Sequence, residues 1–138
     1  MGEFPELLHT VLDCTDPRAL AEFYRQLLGL GYRDGDDPPP AGTPDDADWL
    51  VLVTAEGTRK LAFQRVDDLP RATWPEPGGV PQQLHLDFTV SSREELERQR
   101  GRAVALGATL LLDRTDDEQE PLYVFADLAG HPFCIFVG

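Results

Sequence analysis

Two histidines stand at matching places in a chain whose second half repeats the order of its first. Leu8-His9-Thr10-Val11-Leu12 opens one half and Leu84-His85-Leu86-Asp87-Phe88 opens the other, followed by helix signals at Asp16 and Ser92 respectively. Each half closes on a short apolar strand carrying one polar side chain, Gln64 in the first and Cys134 in the second. Imidazole nitrogens, an amide oxygen and a thiol can each anchor a metal or a substrate. An internal repeat dictates architecture and points to one shared site, so these four residues are the first candidates for chemistry.

The elements that position them follow from punctuation and periodicity. Leu7 to Cys14 reads as a strand, with Leu8, Leu12 and Cys14 on one face and His9, Val11 and Asp13 on the other. Asp16 supplies an N-cap acceptor and Pro17 fits the first helical position, where no N–H is needed. Leu20, Phe23, Tyr24, Leu27 and Leu28 recur at helical spacing up to Gly29. Leu30 to Tyr32 starts a short strand. The Pro-, Gly- and Asp-rich stretch 34–48 reads as a loop, and Trp49–Thr54 with Lys60–Val66 reads as a hairpin turning at Glu56-Gly57.

The second half repeats this order. Leu84–Val90 is a strand, Ser92 with Glu95 matches a capping box, and Leu96, Ala103, Val104 and Leu106 give the helix its apolar side up to Gly107. Ala108–Leu112, Leu122–Ala126 and Phe133–Val137 complete the strands. Leu8, His9, Leu12 and Leu20 align with Leu84, His85, Phe88 and Leu96 at one constant offset, and Phe63-Gln64 falls on Phe133-Cys134. The expected fold is α+β, a single domain over 1–138 made of two βαβββ modules. Module 1 covers about 6–67 and module 2 about 82–138, joined by a Pro-rich linker of about 68–81.

At 138 residues one core suffices. The formal net charge is −13, with acidic residues gathered at Asp34–Asp37, Asp45–Asp48 and Asp116–Glu120. Such a field repels nucleic acid and anionic membranes and attracts cationic ligands. No stretch approaches the roughly 20 apolar residues of a membrane helix, and the acidic first residues lack the pattern of a secretory signal. The expectation is a cytoplasmic protein with no nucleic-acid or membrane partner. Strand parity sends Cys14 and Cys134 to different layers, so no disulfide is expected.

The run Leu7-Leu8-His9-Thr10-Val11-Leu12 with Phe23-Tyr24-x-x-Leu27-Leu28-Gly29 resembles the opening of the vicinal oxygen chelate superfamily. That superfamily includes glyoxalase I, extradiol dioxygenases, fosfomycin-resistance enzymes and bleomycin-binding proteins. Leu84-His85-Leu86-Asp87 resembles its fifth strand, and Asp127-Leu128-Ala129-Gly130-His131-Pro132-Phe133 resembles its closing turn and final strand. The resemblance covers essentially the whole chain and implies curved mixed sheets around a cleft; two four-stranded modules in one short chain leave sheet edges and a half-open cup, so a homodimer is expected. It places His9, Gln64, His85 and Cys134 at the four metal-ligand positions. Glyoxalase I usually carries Glu at the position of Gln64, and glyoxalases and extradiol dioxygenases carry Glu at that of Cys134, so both expected carboxylates are missing.

The donor set then limits the chemistry. Two imidazoles, an amide oxygen and a thiolate suit zinc, or nickel as a second divalent candidate. They suit ferrous dioxygen chemistry poorly, because that normally uses two histidines and a carboxylate. The glutamate base that would shuttle a proton beside a carbonyl is absent. Asp87 shares a strand face with His85 and can contribute a carboxylate, although nothing in the spacing requires it. Trp49 and Trp74 are the aromatic candidates for a ligand cup, Trp74 as a cover borne by the linker. His131 is expected to be exposed and is given no role. The expected function is small-molecule binding in a cleft between the modules, resembling bleomycin-resistance proteins and without the full glyoxalase metal site. The alternative is a metal-dependent lyase or isomerase of the glyoxalase I type, with His9 and His85 as ligands.

Overall fold

The computed structural model describes residues 2–138. They form two compact units, one ending at Asp68 and the other spanning Leu69–Gly138. The first unit contains β1 (Thr10–Cys14), α1 (Pro17–Leu28), β2 (Gly31–Tyr32), β3 (Trp49–Val53) and β4 (Arg59–Arg65). The second contains β5 (Leu86–Val90), α2 (Arg93–Ala105), β6 (Thr109–Arg114), β7 (Leu122–Ala126) and β8 (Pro132–Val137). Each unit is therefore a βαβββ module built on a four-stranded mixed sheet. The strand orders are β1-β4-β3-β2 and β5-β8-β7-β6, with the first pair parallel in each and the others antiparallel. None of the described helices is long and apolar enough to cross a membrane.

Local chemistry explains the elements. Asp16 caps α1 by accepting a hydrogen bond from the Ala19 N–H, Pro17 opens the helix, and Gly29 closes it in the left-handed region at φ 68°. The apolar stripe Leu20, Phe23, Tyr24 and Leu27 is buried, with Tyr24 stacked on Phe63 at 6.1 Å. Ser92 caps α2 by accepting from the Glu95 N–H, but the Glu95 carboxylate accepts from Arg98 and Gln99, so only one arm of the expected capping box is seen. α2 buries Leu96 and Ala103, one above the other at a seven-residue interval. Val104, expected on the apolar side, is 48 % exposed, because it lies about 100° round the helix from Ala103.

Alternation sorts each sheet into two faces. In the first unit Leu12, Cys14, Leu50, Leu52, Leu61 and Phe63 form the buried helix-side layer. His9, Val11, Asp13, Trp49, Val51, Ala62 and Gln64 belong to the opposite face, open in the sense that it turns away from α1, although Val51 and Ala62 are fully buried there. In the second unit Phe88, Tyr123, Phe125, Phe133 and Ile135 lie on the helix side, where the Tyr123 hydroxyl donates to Glu97 of α2. Asp87, Thr89, Val124 and Cys134 lie on the open face. The two cysteines are not joined in a disulfide, and each lies on the face of its own sheet that parity assigns: Cys14 on the helix side and Cys134 on the open side.

Two expectations are corrected by register. β1 begins at Thr10 rather than Leu7, and Leu7 and Leu8 are 88 % and 60 % exposed. Thr10 pairs with Leu61, so counting back sets Leu7 level with Thr58, where β4 has already given way to the hairpin turn. The matching of Gln64 with Cys134 is also displaced by two residues. Thr10 pairs with Leu61 and Leu86 with Phe133, so the frame of β1 and β5 makes Ala62 the counterpart of Cys134 and Phe136 the counterpart of Gln64. The pairs Leu50–Phe63 and Tyr123–Ile135 give the same correspondence on the other side of the central strands. A shift of two keeps every side chain on its own face, so sequence alternation alone could not detect it.

Candidate functional site

His85 lies immediately before β5, and alternation from Leu86 and Phe88 turns it to the open face with Asp87 two residues on. The parallel pairing of β5 with β8 sets Asp87 beside Cys134. His85 Nε2 is 3.3 Å from Asp87 Oδ1, and one donor atom from each of His85, Asp87 and Cys134 falls within 4.8 Å of the others. His85 and Asp87 are open to solvent, whereas Cys134 is buried. Burial pushes the Cys134 thiol up to about 11, with the negative charge and hydrogen bond of Asp87 adding in the same direction. At neutral pH it is a thiol, not a thiolate, unless a cation displaces its proton.

The indole of Trp74 stacks on this histidine, ring centroids 6.0 Å apart. Its loop is closed at the neck: the Thr73 N–H donates to the Val80 carbonyl at 2.7 Å, and the Thr73 hydroxyl donates to the Gly78 carbonyl at 2.9 Å. Arg71 then ties the preceding segment to the β7–β8 turn, donating to the carbonyls of Leu128 and Asp127 at 2.9 and 3.2 Å. The turn itself is organised by Asp127, whose buried carboxylate accepts from the Ala129 and His131 N–H groups. Asp127 belongs to the closing motif legible in the sequence, but its part in holding this turn emerges only here. His131 is half-buried rather than exposed, and borders an apolar hollow of about 200 Å³ with Leu69, Pro70, Val80, Leu84 and Pro132.

The first unit presents a different arrangement. His9 lies beside Trp49, with ring centroids 5.9 Å apart and planes at 53°. The His9 Nδ1 is buried without a hydrogen-bond partner among the described residues. Burial lowers its pKa below 6.5, and the positive charges of Arg59 and Arg33 lower it further. Gln64, exposed on β4, pairs in register with Trp49 on one side and Asp13 on the other.

The structure thus gathers His85, Cys134 and Trp74 in one place, and His9, Trp49 and Gln64 on the open face of the other unit. Asp87 is the group that sequence reasoning left unattached. Its signal was the shared face with His85, but the pairing of β5 with β8 was needed to bring Cys134 alongside. The equivalents of Asp87 and Cys134 in the first unit are Val11 and Ala62, so a three-donor cluster is confined to the second among the described residues.

Comparison with known proteins accords with this architecture. A family model described as a glyoxalase-like domain matches residues 9–136. A glyoxalase/bleomycin resistance protein/dioxygenase family enzyme from Burkholderia phytofirmans is similar in structure at a TM-score of 0.68 and 20 % identity, covering 96 % of this chain and 98 % of its own. A variant of the fosfomycin resistance protein FosX from Listeria monocytogenes, solved with manganese(II) and 1S,2S-dihydroxypropylphosphonic acid, is similar at a TM-score of 0.69 and 21 % identity, covering 98 % and 93 %. A possible glyoxalase from Bacillus cereus is similar at 0.62 and 17 %, covering 94 % and 96 %. No curated protein matches the chain significantly in sequence. With a paired βαβββ architecture and a family match over nearly its whole length, the chain belongs to the glyoxalase-like domain family of the vicinal oxygen chelate superfamily.

Proposed function

We propose that the chain binds a small molecule on the open faces of its modules, resembling bleomycin-resistance proteins, and does not carry out the glyoxalase proton transfer. The observation that carries this reading is the state of Cys134. Where glyoxalase I has a carboxylate base, this chain has a buried thiol held up to about 11, which retains its proton at neutral pH. Ala62, the register counterpart of Cys134 in the first unit, carries no titratable group, and Gln64 two residues on is a neutral amide. An indole beside each histidine offers flat apolar contact, and the net charge of −13 favours a cationic partner over nucleic acid.

The test pairs calorimetric titration with metal-free bleomycin and an assay on the hemithioacetal of methylglyoxal and glutathione, with zinc, nickel or manganese supplied. Binding heat without turnover is expected. Turnover above the buffer rate with any of these metals sinks the reading.

A second reading is favoured by the cluster of His85, Asp87 and Cys134. There the chain is a metal-dependent lyase or isomerase of the glyoxalase I type, with His85 among the ligands to zinc or nickel. The metal would act as a Lewis acid on two neighbouring substrate oxygens. Manganese in the Listeria relative supports it as an enzyme of this broader kind. Stoichiometric metal lost in His85→Ala, together with turnover in the unaltered chain, would establish it.

A further inference from the structure

We propose that the hollow between the Pro-rich linker and the β7–β8 turn is a binding site of its own, for one uncharged ring bearing a hydrogen-bond donor, a molecule of the phenol class. Neither Trp74 nor any of His85, Asp87 and Cys134 lines it, so the site is separate from small-molecule binding on the open faces.

Size limits the occupant to about one ring. An apolar cavity of about 150 Å³ stays dry and takes up benzene. This hollow holds about 200 Å³, below the roughly 300–1,000 Å³ of pockets for drug-sized ligands. Its walls are held in place before any ligand arrives. Pro70, Pro81 and Pro132 fix their own backbone and present flat rings, the surface that packs well on an aromatic face. The Thr73–Val80 bond closes the linker wall on itself, and Arg71 ties that wall to the carbonyls of Leu128 and Asp127 in the turn opposite. Val80 and Leu84 remain exposed on the rim, leaving apolar surface that an occupant would cover.

Polarity selects the donor. No carboxylate, lysine or arginine lines the hollow, so an ion entering it would lose hydration without finding a counter-charge. Gln82 does line it, and its side-chain carbonyl oxygen is buried with no hydrogen-bond partner among the described residues. An acceptor in that state bears its full desolvation cost. The terminal torsion of a glutamine is broad, so a small rotation offers this oxygen to a hydroxyl inside the hollow. A ring with one O–H then satisfies both the apolar walls and the one unmade bond.

The experiment is an NMR titration of the full chain with phenol and, separately, with toluene, which has the same number of heavy atoms and no donor. Phenol is expected to bind about 10-fold more tightly, the scale of one hydrogen bond to an otherwise unpaired group, although toluene is the more apolar. Bound phenol should show nuclear Overhauser contacts to the methyl groups of Leu69, Val80 and Leu84. Gln82→Leu should reverse the order of the two ligands, and Ala72→Leu, which fills the hollow from the linker wall, should weaken phenol about 10-fold or more. Should either variant not fold, the ligand order and the methyl contacts of the unaltered chain decide alone. The site is overturned by no binding of phenol, by toluene binding as tightly, or by contacts to the Trp49 or Trp74 indole in place of the methyls. A preference for phenol surviving in folded Gln82→Leu, or an unchanged phenol affinity in folded Ala72→Leu, overturns it equally. None of these outcomes bears on bleomycin binding or turnover, so the reading of the open faces survives their failure.

Discussion

The indole of Trp74 lies parallel to the imidazole of His85, the two planes inclined by only 5° with centroids 6.0 Å apart. Trp74 sits in a loop with no regular secondary structure, so this placement depends on the loop's hydrogen bonds rather than on a sheet. On the proposed small-molecule reading, the Trp74 ring is the aromatic surface beside His85. Replacing Trp74 with Ala is expected to weaken binding of metal-free bleomycin about 5- to 30-fold, the scale of one cation–π or stacking contact, while Trp74→Phe recovers most of it. Isothermal titration with unchanged circular dichroism checks this, and an affinity unaltered in Trp74→Ala removes the indole from the site.

His9 is expected to titrate below 6.5, because burial first, then Arg59 and Arg33, disfavour its protonated form. The unfolded chain takes that proton at a higher pH than the folded one. This residue's contribution to stability is therefore complete above the ordinary histidine value and is lost as pH falls through it. Imidazole nitrogen shifts followed by NMR against pH give the midpoint. Arg59→Gln should raise it part of the way, and a wild-type midpoint at or above 6.5 contradicts the account.

Cys134 is expected to resist alkylation at neutral pH in the absence of metal. Its rate constant should climb roughly tenfold per pH unit toward a midpoint near 11. The folded thiol is raised, so its contribution is present below the ordinary thiol range and is lost as pH rises toward that midpoint. Asp87→Asn should move the midpoint down, since it removes a charge that opposes the thiolate. Iodoacetamide labelling resolved by peptide mass spectrometry measures both, and rapid labelling of Cys134 at pH 7 contradicts the burial argument.

Asp127→Ala is expected to destabilise the fold by about 1–3 kcal/mol, since two backbone N–H groups lose their carboxyl acceptor. Gly130→Ala should act in the same direction, because Gly130 sits at φ 93° and an added Cβ would stand 3.0 Å from Arg71 Cβ. Thermal melts of both variants, with ligand and metal absent, are the check. Melting temperatures equal to that of the unaltered chain would mean the turn contributes little to holding the module together.

Much of the fold was legible because its signals are local. Asp16-Pro17 and Ser92 each begin a helix by capping chemistry, and the alternation through Leu86, Asp87 and Phe88 sorts the faces of a strand. The repeat of His9 in His85 held because each immediately precedes the first strand of its unit, at one constant offset. Gln64 could not be placed as well. The two halves differ in length between the first and last strands, and only parallel pairing fixes how far β4 slides along β1. The neighbourhood of Asp87 and Cys134 likewise depends on contact between residues 47 apart in the chain, which no short-range pattern encodes. Val104 misled because a valine within a helix reads as core, whereas its wheel position exposes it.

The neck at Thr73 and Val80 has a kinetic consequence. Fixing one residue's backbone costs roughly 1–2 kcal/mol of conformational entropy, and a loop that orders only when its ligand arrives bears that cost at binding. Here the segment carrying Trp74 is cross-braced within itself and pinned by Arg71 to the β7–β8 turn, so most of the ordering belongs to folding. Association at His85 should then proceed in one step limited by encounter, without a slow closing phase, and differences among ligands should appear in how long each one stays.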